Sequence, residues 1–318
     1  MKKFLVKLCV FIFTLSSIVL ILNHAYFPVA METQTYGTDN FRNMPGHIQI
    51  CNFGSSHGLN GFNYDGVSDK FSCFNFSLHS QSLMYDYRIL QHYINHINEG
   101  GIVFIVVSYF SFFGRPEGES KTFISLNNRY YKILPPSLIK NYDIITDCII
   151  NYLPVLTFDT KTAINVILGI KTTEAQEVKT AERFDDIKEV GEKRAAFHFN
   201  SIRSKENNRI IFSSKKTKAL HDIITLCREK KLIPILVTTP YLTEYSGPVK
   251  RDSEFMNAFR STLNEIIASE DVRYYDYSED ARFSHEYALF RDTDHLNKNG
   301  ALKFTNILIG EVMHDLRR

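Results

Sequence analysis

Ile102-Val103-Phe104-Ile105-Val106-Val107, preceded by Gly100-Gly101, is an uninterrupted apolar and mostly β-branched run. A strand without polar alternation turns neither face to water, so it belongs at the centre of a sheet covered by helices on both sides. The run reads as the core of a strand over 101–113. Working outward, shorter stretches of strand character lie at 47–53, 70–76, 231–239 and 272–277. Between them the spacing turns helical. Leu83, Tyr87, Leu90, Ile94 and Ile97 form one apolar stripe, which Gly100-Gly101 would close as a C-cap. Leu220, Ile223, Ile224 and Cys227 form a second within 216–230, and Phe255, Phe259, Leu263 and Ile266 a third within 253–269. A final helix is expected over 299–316. Strands alternating with helices predict an α/β fold around a doubly wound, five-stranded parallel sheet, with functional groups at the carboxyl ends of the strands.

The ends of this pattern carry different chemistry. Lys2, Lys3 and Lys7 precede an uncharged apolar run, Leu8 to Leu22, which Phe4, Leu5 and Val6 lengthen. Residues 1–25 therefore read as a membrane anchor or an export signal, with the lysines inside and the rest of the chain outside. The stretch His24 to Met31 offers a poor cleavage site around Ala30, which favours an uncleaved anchor. A polar linker over 26–45 follows. With 37 Lys and Arg against 35 Asp and Glu, the net charge of +2 gives no reason to expect nucleic acid. The five cysteines include no CxxC spacing, and no paired histidines suggest zinc, so a metal site is disfavoured; Cys51 and Cys73 read as free thiols in core strands. Residues from Gly114 to Ser214 are too many for a loop. Apolar patches over Tyr130 to Ile170 and a polar stretch from Thr172 to Asn208 read as an inserted helical lid followed by a mobile segment.

Two short stretches carry candidate chemistry. Phe53-Gly54-Ser55-Ser56-His57-Gly58 places small residues and hydroxyls where a strand turns into a helix, so that a serine and backbone N–H groups are presented together. Near the other end, Arg291-Asp292-Thr293-Asp294-His295-Leu296-Asn297 precedes the last helix. A carboxylate at Asp292 can reach Nδ1 of His295 and leave Nε2 to take a proton from a serine. Asp294 reads as an N-terminal helix acid or a capping contributor.

Gly54-Ser55-Ser56 together with Asp292-x-x-His295-Leu296-Asn297-x-x-Gly300 resembles the SGNH/GDSL hydrolase superfamily, over most of residues 46–316. The resemblance implies an SGNH/flavodoxin-like domain over 46–318, with Ser56 as nucleophile, Ser55 in place of the usual Asp, and Asp292 and His295 completing a catalytic triad. The Gly-Ser-Ser form is similar to the envelope branch, which includes alginate and peptidoglycan O-acetyltransferases and the teichoic-acid D-alanylation protein. That likeness implies an outward-facing esterase or O-acyltransferase without a cofactor, an acyl-bearing polysaccharide or glycan as its partner, and a membrane acyl-donor protein as a further one. The superfamily's oxyanion Gly and Asn are missing. In their places stand Asn75-Phe76-Ser77-Leu78-His79-Ser80-Gln81 and Val107-Ser108-Tyr109-Phe110-Ser111. Ser77, Ser80, Ser108 and Tyr109 become the oxyanion candidates, and His57, His79, Gln81 and Asn297 candidate substrate contacts. Thr238, Thr239 and Tyr241 read either as substrate contacts or as a polar strand end, and His285 as a bystander. The alternative from another class is a non-catalytic envelope protein of the same fold that binds glycan or a membrane partner.

Overall fold

Ile102 to Val106 form the buried second half of the longest strand in a five-stranded parallel sheet. The computed structural model describes residues 2–34, 38–114, 127–157, 186–204 and 206–318. Its strands are β1 (Ile48–Phe53), β2 (Cys73–Asn75), β3 (Ile97–Val106), β4 (Ile233–Thr238) and β5 (Arg273–Asp276), in the order β2-β1-β3-β4-β5. From β1 the chain winds outward to β2 and then returns to β3, β4 and β5 on the other side. The order reverses between β1 and β3, which is where open α/β sheets place their ligands.

The described α-helices are α1 (Lys2–Gln34), α2 (Ser56–Gly61), α3 (Leu83–Tyr93), α4 (Ile144–Tyr152), α5 (Ile187–Ile202), α6 (Ser214–Glu229), α7 (Thr243–Lys250), α8 (Ser253–Glu270) and α9 (Lys298–Asp315). On one face of the sheet, Ile50, Ile102, Phe104, Val106, Ile235 and Val237 share a core with Phe304, Leu308, Ile309 and Val312 of α9. The alternate residues Cys51, Phe53, Val103, Ile105 and Leu236 point to the opposite face and are fully buried there. This two-sided cover accounts for the unbroken apolar run.

Two expected boundaries move. Helix α3 stops at Tyr93, a 3₁₀ turn covers Ile94–His96, and Ile97 already pairs with Ile48 of β1. Gly100-Gly101 therefore does not cap a helix. The register jumps from Ile48↔Ile97 to Ile50↔Ile102, and Gly100 sits at φ 76° inside this bulge, a conformation open to glycine at little cost. The strand expected over 101–113 ends at Val106, because the chain turns back at Ser108, whose N–H donates to Ser111 Oγ at 2.9 Å.

The chain forms two compact units, Met1–Asn43 with Ser120–Glu177, and Met44–Glu119 with Val178–Arg318. In the first, the apolar part of α1, Lys2–Tyr26, has 25 residues with mean hydropathy 2.6 and is long and apolar enough to cross a membrane. The helix continues to Gln34, into the stretch read as a linker. Asn23 joins it to the neighbouring turn, donating from Nδ2 to the Tyr152 carbonyl at 2.9 Å and accepting the Val155 N–H at 3.2 Å. The second unit holds the sheet.

The segment expected as a single insertion is divided between the units. Of its polar half, residues 172–185 lie outside the described residues, but the part read as mobile contains the sixteen-residue helix α5. That reading is corrected: α5 buries Gly191, Ala195 and Ile202, and packs against α7. It was hidden because so few buried positions leave no continuous apolar stripe. All five cysteines are free thiols.

Candidate active site

The turn after β1 depends on Gly54. Its φ is 150°, and a Cβ there would lie 2.8 Å from Val106 Cβ, so a side chain would collide with the central strand. Beyond it Ser56 opens α2. Behind this turn, fully buried Asn52 of β1 donates from Nδ2 to Asn75 Oδ1 and Ser77 Oγ, both at 2.8 Å, and accepts from Tyr64 OH at 2.9 Å. This network ties the ends of β1 and β2 to each other beneath the serine.

The second stretch arrives after β5 as a tight loop. Phe290 and Leu296 form an antiparallel bridge, and the Arg291 N–H donates to the His295 carbonyl at 2.8 Å. Inside it, Asp292 Oδ1 accepts the N–H groups of Asp294 at 3.1 Å and His295 at 2.9 Å. Asn297 caps α9, its Oδ1 accepting from the N–H groups of Asn299 and Gly300, both at 3.0 Å.

Ser56, His295 and Asp292 come together. His295 Nδ1 lies 2.9 Å from each Asp292 carboxylate oxygen, and its Nε2 lies 2.8 Å from Ser56 Oγ. Because a carboxylate only accepts, Nδ1 carries the proton and Nε2 is the acceptor facing the serine hydroxyl. Burial by itself would lower the His295 pKa, but the carboxylates of Asp294 and Asp292 outweigh it and hold the pKa above the ordinary histidine value.

Asp294 is neither an exposed helix acid nor the cap. Its side chain is fully buried, and Oδ1 accepts from Arg194 Nε at 2.8 Å while Oδ2 lies 3.2 Å from His57 Nε2. Oδ1 is also 3.6 Å from His295 Nδ1. Burial would raise its carboxyl, yet the neighbouring His295, the hydrogen bond from His57 and the Arg194 guanidinium hold it well below the usual carboxylate range.

His57 belongs to the same buried cluster. It is buried, its ring stacks on that of His295 with centroids 4.9 Å apart, and desolvation lowers its pKa, so it stays neutral and donates Nε2–H to Asp294. His198 of α5 completes the cluster, with Nδ1 2.7 Å from Tyr245 OH and Nε2 3.8 Å from Asp294 Oδ2. Burial is the main cause that takes its pKa down to about 3.

Most of the other predicted contacts are committed elsewhere. The Ser77 N–H donates to Asn75 Oδ1 at 3.0 Å, and its hydroxyl is bound by Asn52. Ser108 N–H is taken by Ser111. Gln81 is buried, donating Nε2–H to the Phe76 carbonyl at 3.1 Å and to Asp86 Oδ1 at 2.6 Å, so it braces the loop after β2. Asn297 is held by its capping role, with Nδ2 donating to the Ala288 carbonyl at 2.6 Å. Tyr109 is a core residue whose ring packs on Tyr241 and Phe259, and burial pushes its hydroxyl pKa up. Ser80 is exposed in left-handed backbone, φ 51°. Thr238 closes its strand, Oγ1 donating to the Val107 carbonyl at 2.6 Å, and Tyr241 packs edge-on to His57.

Donor atoms of His57, Asp294 and His295 lie within 4.8 Å of one another, a spacing compatible with a metal ion. Those atoms are bound to one another, to Ser56 and Asp292, and to Arg194, whose positive charge opposes a cation at the same carboxylate. Nothing in this donor set calls for a cofactor.

No family model and no curated protein matches the sequence. Among solved structures, one match is a protein of Bacteroides fragilis NCTC 9343 provisionally described as an acylhydrolase. It shares 11% identity over 90% of this chain and 97% of its own, at a TM-score of 0.40.

Proposed function

We propose that the chain is a serine-dependent acyl-transfer enzyme acting on an O-linked ester, with Ser56 as nucleophile, His295 as general base and acid, and Asp292 as the group that aims His295. One observation carries the reading, the continuous Asp292–His295–Ser56 contact at hydrogen-bond distance, assembled from loops at opposite ends of the domain. In this reading His295 Nε2 takes the Ser56 proton as Oγ attacks the ester carbonyl. The oxyanion is held by first-turn N–H groups of α2, which have no acceptor within the helix. His295 then protonates the leaving alcohol, giving an acyl-Ser56 that a second hydroxyl or water resolves.

The apolar α1 supports an anchored enzyme whose domain lies outside the cytoplasm, with the lysines before the apolar run retained inside. An envelope polysaccharide bearing O-acyl groups is then the substrate class, and a membrane acyl donor the partner in the transferase direction. Transfer prevails over hydrolysis in this reading when a bound sugar hydroxyl reaches acyl-Ser56 before water does. The test is a chromogenic acetyl ester given to the full-length protein in detergent, with and without envelope glycan oligosaccharides. Turnover lost in both Ser56→Ala and His295→Ala, and acetylated sugar rising with acceptor concentration, are expected. Turnover unchanged by either substitution rejects the enzyme reading, and acetate release with no acetylated sugar makes the protein an esterase.

A further inference from the structure

His295 has two carboxylates on its Nδ1 side. Asp292 is hydrogen-bonded to it but keeps 39% of its side chain exposed, whereas Asp294 lies slightly farther off, at 3.6 Å, and is completely buried. A charge in contact with water is strongly screened, while a buried one is screened less over the same distance. The buried carboxylate is also fixed from three directions. Arg194 reaches it from α5, His57 from α2, and His198 faces it from α5. A carboxylate that served only to hold the loop would have no need of a guanidinium delivered from a segment about a hundred residues away in the chain.

We propose that Asp294 is a second positioning residue for the acyl-transfer reaction: its buried charge stabilises the His295 imidazolium formed when Ser56 is deprotonated, while Asp292 fixes the ring's orientation. Arg194 and His57 hold Asp294 in register, so α5 completes the site. The inference deepens the function proposed above and rests on it for its kinetic consequence.

The groups facing His295 are Asp292 and Asp294 from its own loop, Ser56 and His57 from α2, and Arg194 and His198 from α5, with Tyr241 and Tyr245 behind His57 and His198. Of these, Asp292 and Asp294 favour the imidazolium, and Arg194 opposes it. Removing the Asp294 charge and removing the Arg194 charge must therefore move the His295 titration in opposite directions, which a general loss of packing would not do.

The experiment follows the imidazole C–H resonances of His295 by NMR in the full-length protein, labelled at histidine and assigned by their loss in His295→Gln. The midpoint should fall by about one pH unit or more in Asp294→Asn, as expected when an opposite charge about 4 Å away is removed. It should rise in Arg194→Gln. In parallel, the acid limb of kcat/KM should shift the same way in each variant, with Asp294→Asn losing roughly 100-fold or more at neutral pH. A folded Asp294→Asn protein whose His295 midpoint and acid limb match the wild type overturns the proposal. If Asp294→Asn does not fold, Arg194→Gln decides, and a midpoint that stays or falls overturns it. The titration requires no turnover, so a Ser56 that proves unreactive would end the nucleophile reading and leave the charge relation still measured.

Discussion

Gly191→Ala tests whether α5 is held against α7 tightly enough to serve the site. A Cβ at Gly191 would lie 2.1 Å from the Glu244 carbonyl oxygen and 2.5 Å from its carbon. Both are backbone atoms and cannot swing aside, so the helices must separate by roughly 1 Å or more to approach ordinary contact near ~3.5 Å. Alanine gains about 1 kcal/mol in helix propensity over glycine, while overpacking costs about 1–3 kcal/mol. A shift of that size also lengthens the 2.8 Å Arg194–Asp294 bond beyond hydrogen-bond range, and a bond to a charged group is worth about 1.5–3 kcal/mol. The balance is a net loss of about 1.5–5 kcal/mol, or roughly 3–20 °C in melting temperature for a domain of this size. Gly310 in α9 is the control. It is exposed, and nothing lies within 4 Å of its Cβ position, so Gly310→Ala should gain up to about 1 kcal/mol. The assay is thermal unfolding of full-length protein in detergent by circular dichroism, with ester turnover alongside. A Gly191→Ala protein as stable as Gly310→Ala, with unchanged turnover, would refute the seating of α5 and its contribution to the site.

Two further outcomes follow from the same geometry. His198 has its pKa lowered to about 3, so below the unfolded value near 6.5 the unfolded chain takes up a proton that the folded one refuses. Stability should therefore fall as pH drops from about 6.5 toward 4.5, and His198→Gln should make that slope shallower by up to about 1.4 kcal/mol per pH unit in pH-dependent melts. His57 acts in the same direction, whereas His295, whose pKa is raised, contributes stability that is full below about 6.5 and lost as pH rises through its folded value. Asn297→Ala removes the cap of α9 and should cost about 0.5–2 kcal/mol, read as a lower melting temperature, with slower reaction at Ser56 because the His295 loop loses its anchor.

The sheet was legible because its central strands obey a simple rule: two covered faces leave no room for polar residues, and β3 and β4 announce themselves. The turn at Gly54 to His57 and the loop at Asp292 to His295 were legible because each is a local pattern of residue types. Position within those patterns was not enough to assign partners. His57 reads locally as a residue at a helix start, and only its meeting with Asp294 across the domain makes it buried. Arg194 and His198 stand one helical turn apart, which was the available signal, but α5 has too few buried positions to be recognised as a helix and its partner is about a hundred residues away. Ser77, Gln81 and Asn297 were plausible donors by composition, and each is occupied by a hydrogen bond that sequence spacing does not reveal. Gly100-Gly101 signalled a real interruption, but a pair of glycines fits a bulge as well as a cap, and pairing with β1 decided between them.

The proposed reactivity of Ser56 is measured most directly by peptide mass spectrometry after brief exposure of the full-length protein to a fluorophosphonate. One equivalent of label on the peptide containing Ser56, forming at a rate that rises with pH as His295 loses its proton and falling at least 100-fold in His295→Ala, is the predicted result. Label distributed over other serines, or a Ser56 that reacts equally fast without His295, would contradict it.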